Sequence, residues 1–316
     1  MNRLAILLAI TAASFAQDFR QVFSVATPSA MRDAVFCGET GVLAGRSKAG
    51  DIILWRYPSG QQVAKRAAER PRQVRSLACS ADGKLIAAGT SSGDLLLLNG
   101  ALRPVKTVHI SITEVQAIAF SPDSSLIAVS SYLEPARLFE TGNGKLIAVL
   151  PTDFSDSNAM QFSPDSQSIA VANSDTTIRL FNRMGAPLAR YDGLLLEPSG
   201  LGFTEGGKQI LISDVGGNLR LLDSKDLTPL KSLPKQADAT MALFAMADGT
   251  SGISMQMDPA SLAFRRLLLW DLPAGTSRAL DIPKAEPVGK GSTSKERLVI
   301  FGMTSPTSMA GWVLQP

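Results

Sequence analysis

The chain has 316 residues, a mass of 33.4 kDa, 45% hydrophobic and 19% charged residues, and a formal net charge of +3. This composition is too apolar for a disordered chain and too mixed for a protein that crosses a membrane many times. Two cysteines exclude a disulfide scaffold, and the single histidine, His109, excludes a multi-histidine metal site. The weak positive charge does not favour nucleic acid or a membrane as a partner.

The first sixteen residues have the order of a secretory signal. Arg3 provides a short positive region, and Leu4 to Ala13 is apolar apart from one threonine. Ser14-Phe15-Ala16 then places small residues at the −3 and −1 positions of a cleavage site. We therefore predict cleavage after Ala16 and a periplasmic or extracellular protein. An uncleaved anchor or a strand of the fold is the alternative, but a helix that spans a bilayer needs roughly 20 apolar residues.

The remainder of the chain repeats a unit of about 42 residues, which is the signature of a repeat fold. Residues 116–128 and 159–170 each contain an alternating strand, a Ser-Pro-Asp turn and a second strand. Residues 79–86 repeat this order, and residues 203–207 repeat it loosely. The last residue of the first strand recurs after 43, 41, 42, 41, 42 and 47 residues, at Phe36, Cys79, Phe120, Phe162, Phe203, Ala245 and Ser292.

A second marker supports the same repeat. In each of the first five units another apolar strand ends 19 residues after the first marker, as at Trp55 and Phe139. In the sixth unit the interval to Trp270 is 25 residues, so about six residues are inserted within Ser254 to Phe264. A turn and a fourth strand then follow. Four short strands per unit, with turns between them, are typical of a propeller blade.

The units resemble WD40 repeats, since Leu269-Trp270-Asp271 contains the Trp-Asp pair of that family and Phe139-Glu140 is one of several degenerate versions. The Ser-Pro-Asp turns at Ser121 and Ser163 are also typical. The resemblance covers about residues 18–316 and implies an all-β propeller of four-stranded antiparallel blades. The Gly-His dipeptide that opens a WD40 blade is missing from every unit. We therefore expect the hydrogen-bond network that the family builds on that histidine to be absent.

Seven markers predict seven blades, although the seventh unit ends after its third strand, near Val313-Leu314. Phe19 to Val25 precedes the first unit and has alternating apolar residues. We predict that this stretch is the outer strand of the last blade, so that residues 17–316 form one closed propeller. Closure removes the open sheet edges that promote aggregation.

The sequence gives little sign of catalysis. His109 lies in a stretch rich in serine and threonine without a Gly-x-Ser-x-Gly motif, and one histidine with two cysteines is too few for a zinc or iron site. Asp153 and Asp156, the nearest approach to an acidic pair, are explained by a solvated turn. We predict a protein that is not an enzyme and binds no metal or cofactor, in which His109 has a surface or packing role.

Cys37 and Cys79 lie in neighbouring units, one position out of register. They could pair in an oxidising compartment, but a disulfide requires α-carbons within about 7 Å. Equivalent positions of adjacent blades are usually farther apart, and a shift of one residue turns strand side chains to opposite faces. We therefore expect two small buried thiols.

A basic stretch connects the first two units, and Glu69 is the only acidic residue in it. One interpretation is a solvated run of charge; the other is a docking site for an acidic partner or an anionic surface, with Arg66, Arg70 and Arg72 as its contacts. The basic residues are Lys65, Arg66, Arg70, Arg72 and Arg75, to which the repeat alignment adds Arg46 and Lys48 from a nearby loop.

The insertion of the sixth unit is more apolar than a solvated loop requires. Methionine is adaptable and common on binding surfaces, and the equivalent loop of the seventh unit adds two more methionines. We predict that these loops form a contact surface for a protein partner; packing, or capture of a soft ion such as Cu(I), is the alternative. The residues are Met255, Met257, Leu262, Phe264, Met303 and Met309.

The resemblance implies a scaffold, because WD40 propellers mostly bind other proteins. The predicted function is therefore a non-catalytic, exported β-propeller that acts as a monomer and binds an unidentified protein. A binder of a small molecule or glycan in the central channel is one alternative. A propeller-type enzyme, such as a lactonase or a quinone-dependent dehydrogenase, is another, but the chain has one histidine and three tryptophans to supply metal ligands or stacking aromatics.

Overall fold

Short runs of apolar and small residues, separated by turns, form 28 strands arranged as seven four-stranded antiparallel blades in a ring. The structure is a computed structural model that describes residues 19–38, 40–69, 72–152, 157–246, 249–261, 263–280, 286–293 and 296–314. Within a blade the strands are called A to D from the centre outward. Strands A of neighbouring blades contact each other, and strands D are the most exposed. The predicted all-β, seven-bladed fold is confirmed.

The blades follow the chain order, except that the first strand belongs to the last blade. Blade 1 is β2 (Met31–Phe36), β3 (Val42–Ser47), β4 (Ile52–Arg56) and β5 (Gln61–Arg66). Blade 2 is β6 (Val74–Cys79), β7 (Ile86–Thr90), β8 (Asp94–Leu98) and β9 (Pro104–His109). Blade 3 is β10 (Val115–Phe120), β11 (Leu126–Ser131), β12 (Glu134–Glu140) and β13 (Leu146–Val149). Blade 4 is β14 (Ser157–Phe162), β15 (Ser168–Asn173), β16 (Ile178–Asn182) and β17 (Pro187–Tyr191).

The last three blades complete the ring. Blade 5 is β18 (Pro198–Thr204), β19 (Gln209–Asp214), β20 (Leu219–Asp223) and β21 (Pro229–Ser232), with one turn of 3-10 helix at Glu205–Gly207. Blade 6 is β22 (Ala239–Ala245), β23 (Ser251–Met257), β24 (Phe264–Asp271) and β25 (Thr276–Leu280). Blade 7 is β26 (Glu286–Thr293), β27 (Glu296–Ser305), β28 (Ser308–Leu314) and β1 (Phe19–Ala26).

The middle strands hold the ring together because neighbouring blades cover both of their faces. In β4 the four residues Ile52 to Trp55 are each at most 2% exposed. Apolar clusters bridge adjacent blades, such as the one that joins Leu138 of blade 3 to Phe181 of blade 4. Burying a side chain of this size contributes roughly 1.5–3 kcal/mol. These clusters fix the angle between blades and hence the position of every loop.

The Ser-Pro-Asp turns after strand A are fixed by their own side chains. Ser121 Oγ donates to Asp123 at 2.5 Å and accepts from the Leu126 amide at 2.9 Å, while Asp123 Oδ1 accepts from the Ser125 amide at 3.0 Å. Burial raises the pKa of Asp123, but hydrogen bonds from Ser121 and Ser125 and the charge of Arg183 outweigh it and lower that pKa to about 2. Equivalent bonds occur in blade 2 at Ser80 and Asp82, and in blade 4 at Ser163 and Asp165.

Strand β1 closes the ring as the sequence predicts. It pairs antiparallel with β28, from Phe19 opposite Leu314 to Ala26 opposite Ser308. Blade 7 also meets blade 1 directly, where β26 pairs in parallel with β2. Phe23 of β1 is 2% exposed and packs against Phe301 of the same blade. The outer strand is therefore anchored by both hydrogen bonds and core packing.

The expectation of two free thiols is wrong, because Cys37 and Cys79 form a disulfide with a Cα–Cα distance of 4.8 Å. Strand β2 ends at Phe36, so the alternation of strand side chains no longer applies to Cys37. The turns of the two blades also touch: Gly38 has φ +55°, and a β-carbon added there would lie 2.1 Å from the Ala81 carbonyl oxygen. The one-residue offset thus allows the pairing that strand geometry alone forbids.

Candidate interaction face

The loops of the ring lie on two opposite faces. The connection face carries the links from strand D of one blade to strand A of the next and the loops between strands B and C; the turn face carries the A–B and C–D turns. The D-to-A connections are 27–30, 67–73, 110–114, 150–156, 192–197, 233–238 and 281–285. The B–C loops are 48–51, 91–93, 132–133, 174–177, 215–218, 258–263 and 306–307.

Exposed large apolar side chains are distributed unequally between these faces. In the described parts of the chain, Met184 is the one such residue in a loop of the turn face, whereas the connection face has five. Ile112 is 89% exposed and Leu195 is 86% exposed. Apolar groups held in water favour burial against a partner. The five residues are Ile112, Tyr132, Leu133, Leu195 and Leu196.

Hydrogen bonds join three of these residues into one cluster on blade 3. The Tyr132 amide donates to the Glu114 carbonyl at 3.1 Å, and Thr113 Oγ1 donates to the Tyr132 carbonyl at 2.9 Å. These bonds hold connection 110–114, which contains Ile112, against the B–C loop 132–133, which contains Leu133. Leu133 has φ +55°, a left-handed conformation that costs a leucine roughly 1–2 kcal/mol. Five other non-glycine residues of the described chain, all in loops, share this conformation, but among the leucines with it Leu133 alone is exposed.

A second cluster lies on blade 5. The Val215 amide donates to the Glu197 carbonyl at 3.0 Å, which fixes connection 192–197 to the B–C loop of that blade. The Leu196 side chain packs beside Gly216, where an added β-carbon would lie 2.3 Å from it. Sequence reasoning missed both clusters, although the run Leu194-Leu195-Leu196 in a connection was a usable signal.

The basic stretch between blades 1 and 2 is largely neutralised. Glu69 is the one acidic residue within the stretch, but the fold brings carboxylates from other loops and strands to this part of the ring. Arg70 lies outside the described residues. Arg66 and Arg72 therefore leave little unneutralised positive charge for an acidic partner. The pairs are Arg46 with Asp33, Lys65 with Asp51 at 3.6 Å, Arg66 with Glu69 at 2.6 Å, Arg72 with Asp94 at 3.7 Å, and Arg75 with Glu114 at 3.2 Å.

The methionines predicted to form a loop surface lie in strands instead. Met303 and Met309 face each other across β27 and β28, are 8% and 0% exposed, and belong to the core between blades 7 and 1. Met255 is in β23 and packs, with Phe264, against the core between blades 6 and 7. Longer strands β23 and β24 absorb part of the insertion, which moves these side chains out of the loop.

Met257 and Leu262 were predicted to belong to the same loop surface. Met257 is the last residue of β23, opposite Phe264, and is half-buried. Leu262 lies outside the described residues. The inserted loop itself is well ordered by Asp258, whose Oδ1 accepts from the amides of Ala260 at 3.0 Å and Ser261 at 2.8 Å. Hydrogen bonds from Arg265 and Ser261 hold the pKa of Asp258 well below its usual range.

His109 has a hydrogen-bond partner within its own blade, although the Gly-His dipeptide of the family is missing. His109 Nδ1 lies 2.9 Å from Asp94 Oδ1, and Ser92 Oγ donates to Asp94 Oδ2 at 3.0 Å. Burial raises the pKa of Asp94, but hydrogen bonds from His109 and Ser92 and the charge of Arg72 lower it overall. His109 is the last residue of strand D rather than part of the connection, so the shifted spacing hid its role. The arrangement ties a B–C loop to strand D.

Other kinds of site have little support in the described parts of the chain. No group of three or more His, Cys, Asp or Glu side chains there is placed to hold a metal ion. No helix in those parts has the length and apolar character needed to cross a membrane. One cleft of 550 Å³ lies beside Trp270 and Arg278, and another of 580 Å³ lies between Arg20 to Ser24 and Pro58. The first is lined by strands B to D of blade 6 and the second by β1 and a turn of blade 1, and neither is lined by a central strand A.

Two family models match the sequence. The model described as the anaphase-promoting complex subunit 4 WD40 domain matches residues 34–110, which form most of blade 1 and all four strands of blade 2. The model described as the WD domain, G-beta repeat, matches residues 144–182, from strand D of blade 3 through strand C of blade 4. The matches thus fall in two separate parts of the ring.

Two curated proteins are similar to part of the chain. SEC12-like protein 2 of Arabidopsis thaliana is 32% identical over 106 residues, which cover 31% of this chain and 25% of that protein. Echinoderm microtubule-associated protein-like 2 of Rattus norvegicus is 28% identical over 113 residues, which cover 35% of this chain and 16% of that protein. The matched region is therefore a quarter or less of each relative.

Solved structures match the whole ring. A chain in the crystal structure of the mitotic checkpoint complex has a TM-score of 0.81 at 10% identity, covering 100% of this chain and 99% of its own length. The β-propeller domain of Cps50 (Swd1) from Myceliophteria thermophila has a TM-score of 0.77 at 14% identity, covering 94% of this chain and 100% of its own length. At these identities the likeness concerns the fold alone. With the family models and the seven blades, it shows that the chain is a WD40-repeat β-propeller.

Proposed function

We propose that this protein is a non-catalytic, exported propeller that binds a protein partner through its connection face. The WD40 propeller fold itself suggests a protein-interaction scaffold. The observation that carries the proposal is the exposure of Ile112 and Leu195 on connections that are fixed by hydrogen bonds. A surface that is already ordered loses little conformational entropy on binding, which favours a scaffold.

Export is supported by two features of different kinds. The first is the charged, apolar and small-residue order of the first sixteen residues, which lie outside the described part of the chain. The second is the disulfide between Cys37 and Cys79, a bond that persists in oxidising compartments and is rare in the cytosol. N-terminal sequencing of the native protein tests this part. We expect Gln17 as the first residue; intact Met1 in the soluble cytoplasmic fraction would contradict it.

Partner binding is tested by capture from the native envelope and secreted fractions, followed by mass spectrometry. Leu133→Asp places a charge on the connection face and suits the left-handed backbone, which aspartate tolerates well. Met184→Asp is the matched control, because Met184 is 65% exposed on the turn face. We expect the wild type and Met184→Asp to retain the same protein and Leu133→Asp to lose most of it. Equal retention by all three proteins would refute the assignment of the face.

A further inference from the structure

Three consecutive blades carry an arginine at the same position of strand C, namely Arg137, Arg179 and Arg220. Each lies opposite a β-branched residue of strand B in its own blade. The corresponding positions of blades 1, 2 and 6 are apolar, so the arginine is not a requirement of the fold. The partners of the arginines in strand B are Val129, Val171 and Ile212, and the apolar equivalents are Ile53, Leu96 and Leu268.

Each arginine holds, or is linked to, the connection that enters its own blade. Arg179 Nη1 donates to the Pro151 carbonyl at 2.6 Å, and Arg220 Nη1 donates to the Tyr191 hydroxyl at 2.7 Å and to the Gly193 carbonyl. Arg137 pairs with Glu134 at 2.8 Å, and Glu134 accepts from Ser111 Oγ in the connection before blade 3. The three guanidinium groups therefore anchor the connections 110–114 and 192–197 and, at Pro151, the start of the connection that enters blade 4.

The first and last of these connections carry the most exposed large apolar side chains of the described chain, Ile112 and Leu195. Leu133 beside the first connection and Leu196 in the last add to the same face, at 58% and 42% exposed. The arc that runs over blades 3 to 5, defined by connections 110–114 and 192–197 and loop 132–133, thus combines one buried and two half-buried arginine anchors with exposed apolar tips. These three arginines hydrogen-bond to groups that support the connections.

Two of the three arginines are paired with carboxylates, whereas Arg220 donates to the Tyr191 hydroxyl and the Gly193 carbonyl. Arg137 pairs with Glu134, Arg179 pairs with Asp175 at 2.8 Å, and Arg190 pairs with Asp192 at 2.6 Å. Hydrogen bonding from Ser111 lowers the pKa of Glu134, and the nearby Arg137 lowers it further, so its carboxylate stays ionised and paired at neutral pH. The side chains that the arc exposes at its tips are those of Ile112, Leu133 and Leu195, which offer a charged ligand no opposite charge in return for the water it would lose.

We infer that the arc over blades 3 to 5 accepts an uncharged, apolar segment of a partner protein, and that Arg137, Arg179 and Arg220 are positioning residues for it. This inference rests on the proposed function and adds to it the part of the face and the chemistry of the partner. Binding through apolar contact depends weakly on ionic strength, whereas binding through surface charge falls as salt screens it.

The inference is tested with a defined probe. Twelve-residue peptides are selected from a random displayed library on the purified, oxidised protein, and their affinities are measured by fluorescence polarisation in low and high salt. We expect peptides rich in Leu, Ile and aromatic residues, with affinities that change less than threefold with salt. We also expect at least tenfold weaker binding to Ile112→Ser and to Leu195→Ser, and unchanged binding to Met184→Ser on the turn face.

The positioning role has its own readout. Arg220→Met removes the bonds to Tyr191 and Gly193 while keeping the apolar stem, and Arg220→Lys keeps the charge. We expect faster hydrogen exchange in residues 192–197 and weaker peptide binding for Arg220→Met, with partial rescue by Arg220→Lys, at temperatures where both variants are fully folded. A merely structural arginine would lower the melting temperature without changing exchange in the connection relative to the other loops.

Three results would overturn the inference: charged peptides that bind in a salt-dependent manner, apolar peptides that bind Ile112→Ser and Leu195→Ser as well as the wild type, or no selected peptide. These outcomes are separable from failure of the proposed function. If native capture succeeds and is lost in Leu133→Asp while the peptides are acidic or basic, the face stands and the chemistry of the arc is wrong.

Discussion

Cys37 and Cys79 tie together two turns that are 42 residues apart in the chain. Closing a loop of that length restricts the unfolded chain and, in the chain-entropy model, stabilises the fold by about 4 kcal/mol. We expect the double variant Cys37→Ser, Cys79→Ser to lower the free energy of unfolding by about 2–4 kcal/mol in guanidinium titrations without reductant. Reductant should bring the wild type to the same value and leave the variant unchanged. Equal stability of the two oxidised proteins would mean that the bond is not formed in solution.

Asp123 gives the turn face a predictable response to acid. Its pKa is lowered from 3.8 in model compounds to about 2, so the folded protein gains stability from the carboxylate above pH 4 and loses it as the pH falls towards 2. Asp123 is 39% exposed in its pair with Arg183, so solvent screening leaves about 1 kcal/mol of this gain. We expect Asp123→Asn to be less stable than the wild type at pH 7 and equal to it near pH 2. A difference that is constant between these pH values would contradict this account.

Leu133 combines high exposure with a left-handed backbone in the two-residue loop between β11 and β12. Asparagine adopts this conformation more readily than leucine. We expect Leu133→Asn to raise the free energy of unfolding by about 1 kcal/mol while it weakens partner binding. Thermal unfolding and capture of the partner measure the two effects on the same sample. A variant that is more stable and binds normally would show that Leu133 has no part in recognition.

At the scale of elements, the hairpin of β23 and β24 shows why Met255 and Met257 lie in a strand rather than in the predicted loop. The sequence located the extra residues of blade 6 correctly, and residues 258–263 form its B–C loop, the longest of the seven. What the spacing does not show is how many inserted residues extend the strands. Met255 and Met257 entered the ladder, where β23 continues to Met257.

The loop between these strands should be dispensable for folding. Replacing residues 258–263 with Asn-Gly, a sequence that favours a tight hairpin turn, leaves the pairing from Ser251 to Met257 intact. We expect a melting temperature within a few degrees of the wild type and unchanged capture of the partner, because the apolar arc is on other blades. Loss of folding would show that the loop belongs to the core, and loss of capture alone would move the binding surface to blade 6.

The parts of the fold that could be predicted are those that repeat locally. The 19-residue interval between Phe120 and Phe139, like its counterparts, reflects two strands and one loop within a blade, and the Ser-Pro-Asp turns carry their own hydrogen bonds. Contacts between loops from different parts of the chain leave no such period. The bond of Cys37 to Cys79, the pairing of Arg75 with Glu114 and the grouping of Ile112 with Leu133 became visible only in the assembled ring.

For the molecule as a whole, β1 is the element on which ring closure depends. It covers the edge of β28 and buries Phe19 and Phe23 at 1% and 2% exposed. We expect a protein that lacks Phe19 to Ala26 to aggregate or to melt at a markedly lower temperature, because an exposed strand edge pairs with other chains. The matched control is Phe23→Leu, which keeps strand β1 and most of its packing. A truncated protein as stable as this control would contradict closure by β1.

The central claim, that a protein partner binds the apolar arc over blades 3 to 5, is tested most directly by a hydrogen-exchange footprint of the captured complex. The measurement compares the free and bound propeller, peptide by peptide, under oxidising conditions. We predict slower exchange in residues 110–114, 131–134 and 192–197 and little change in the C–D turns, including residues 183–186, which contain Met184. Protection confined to the turn face, to residues 258–263 or to the basic stretch around Arg66 and Arg72 would contradict the claim.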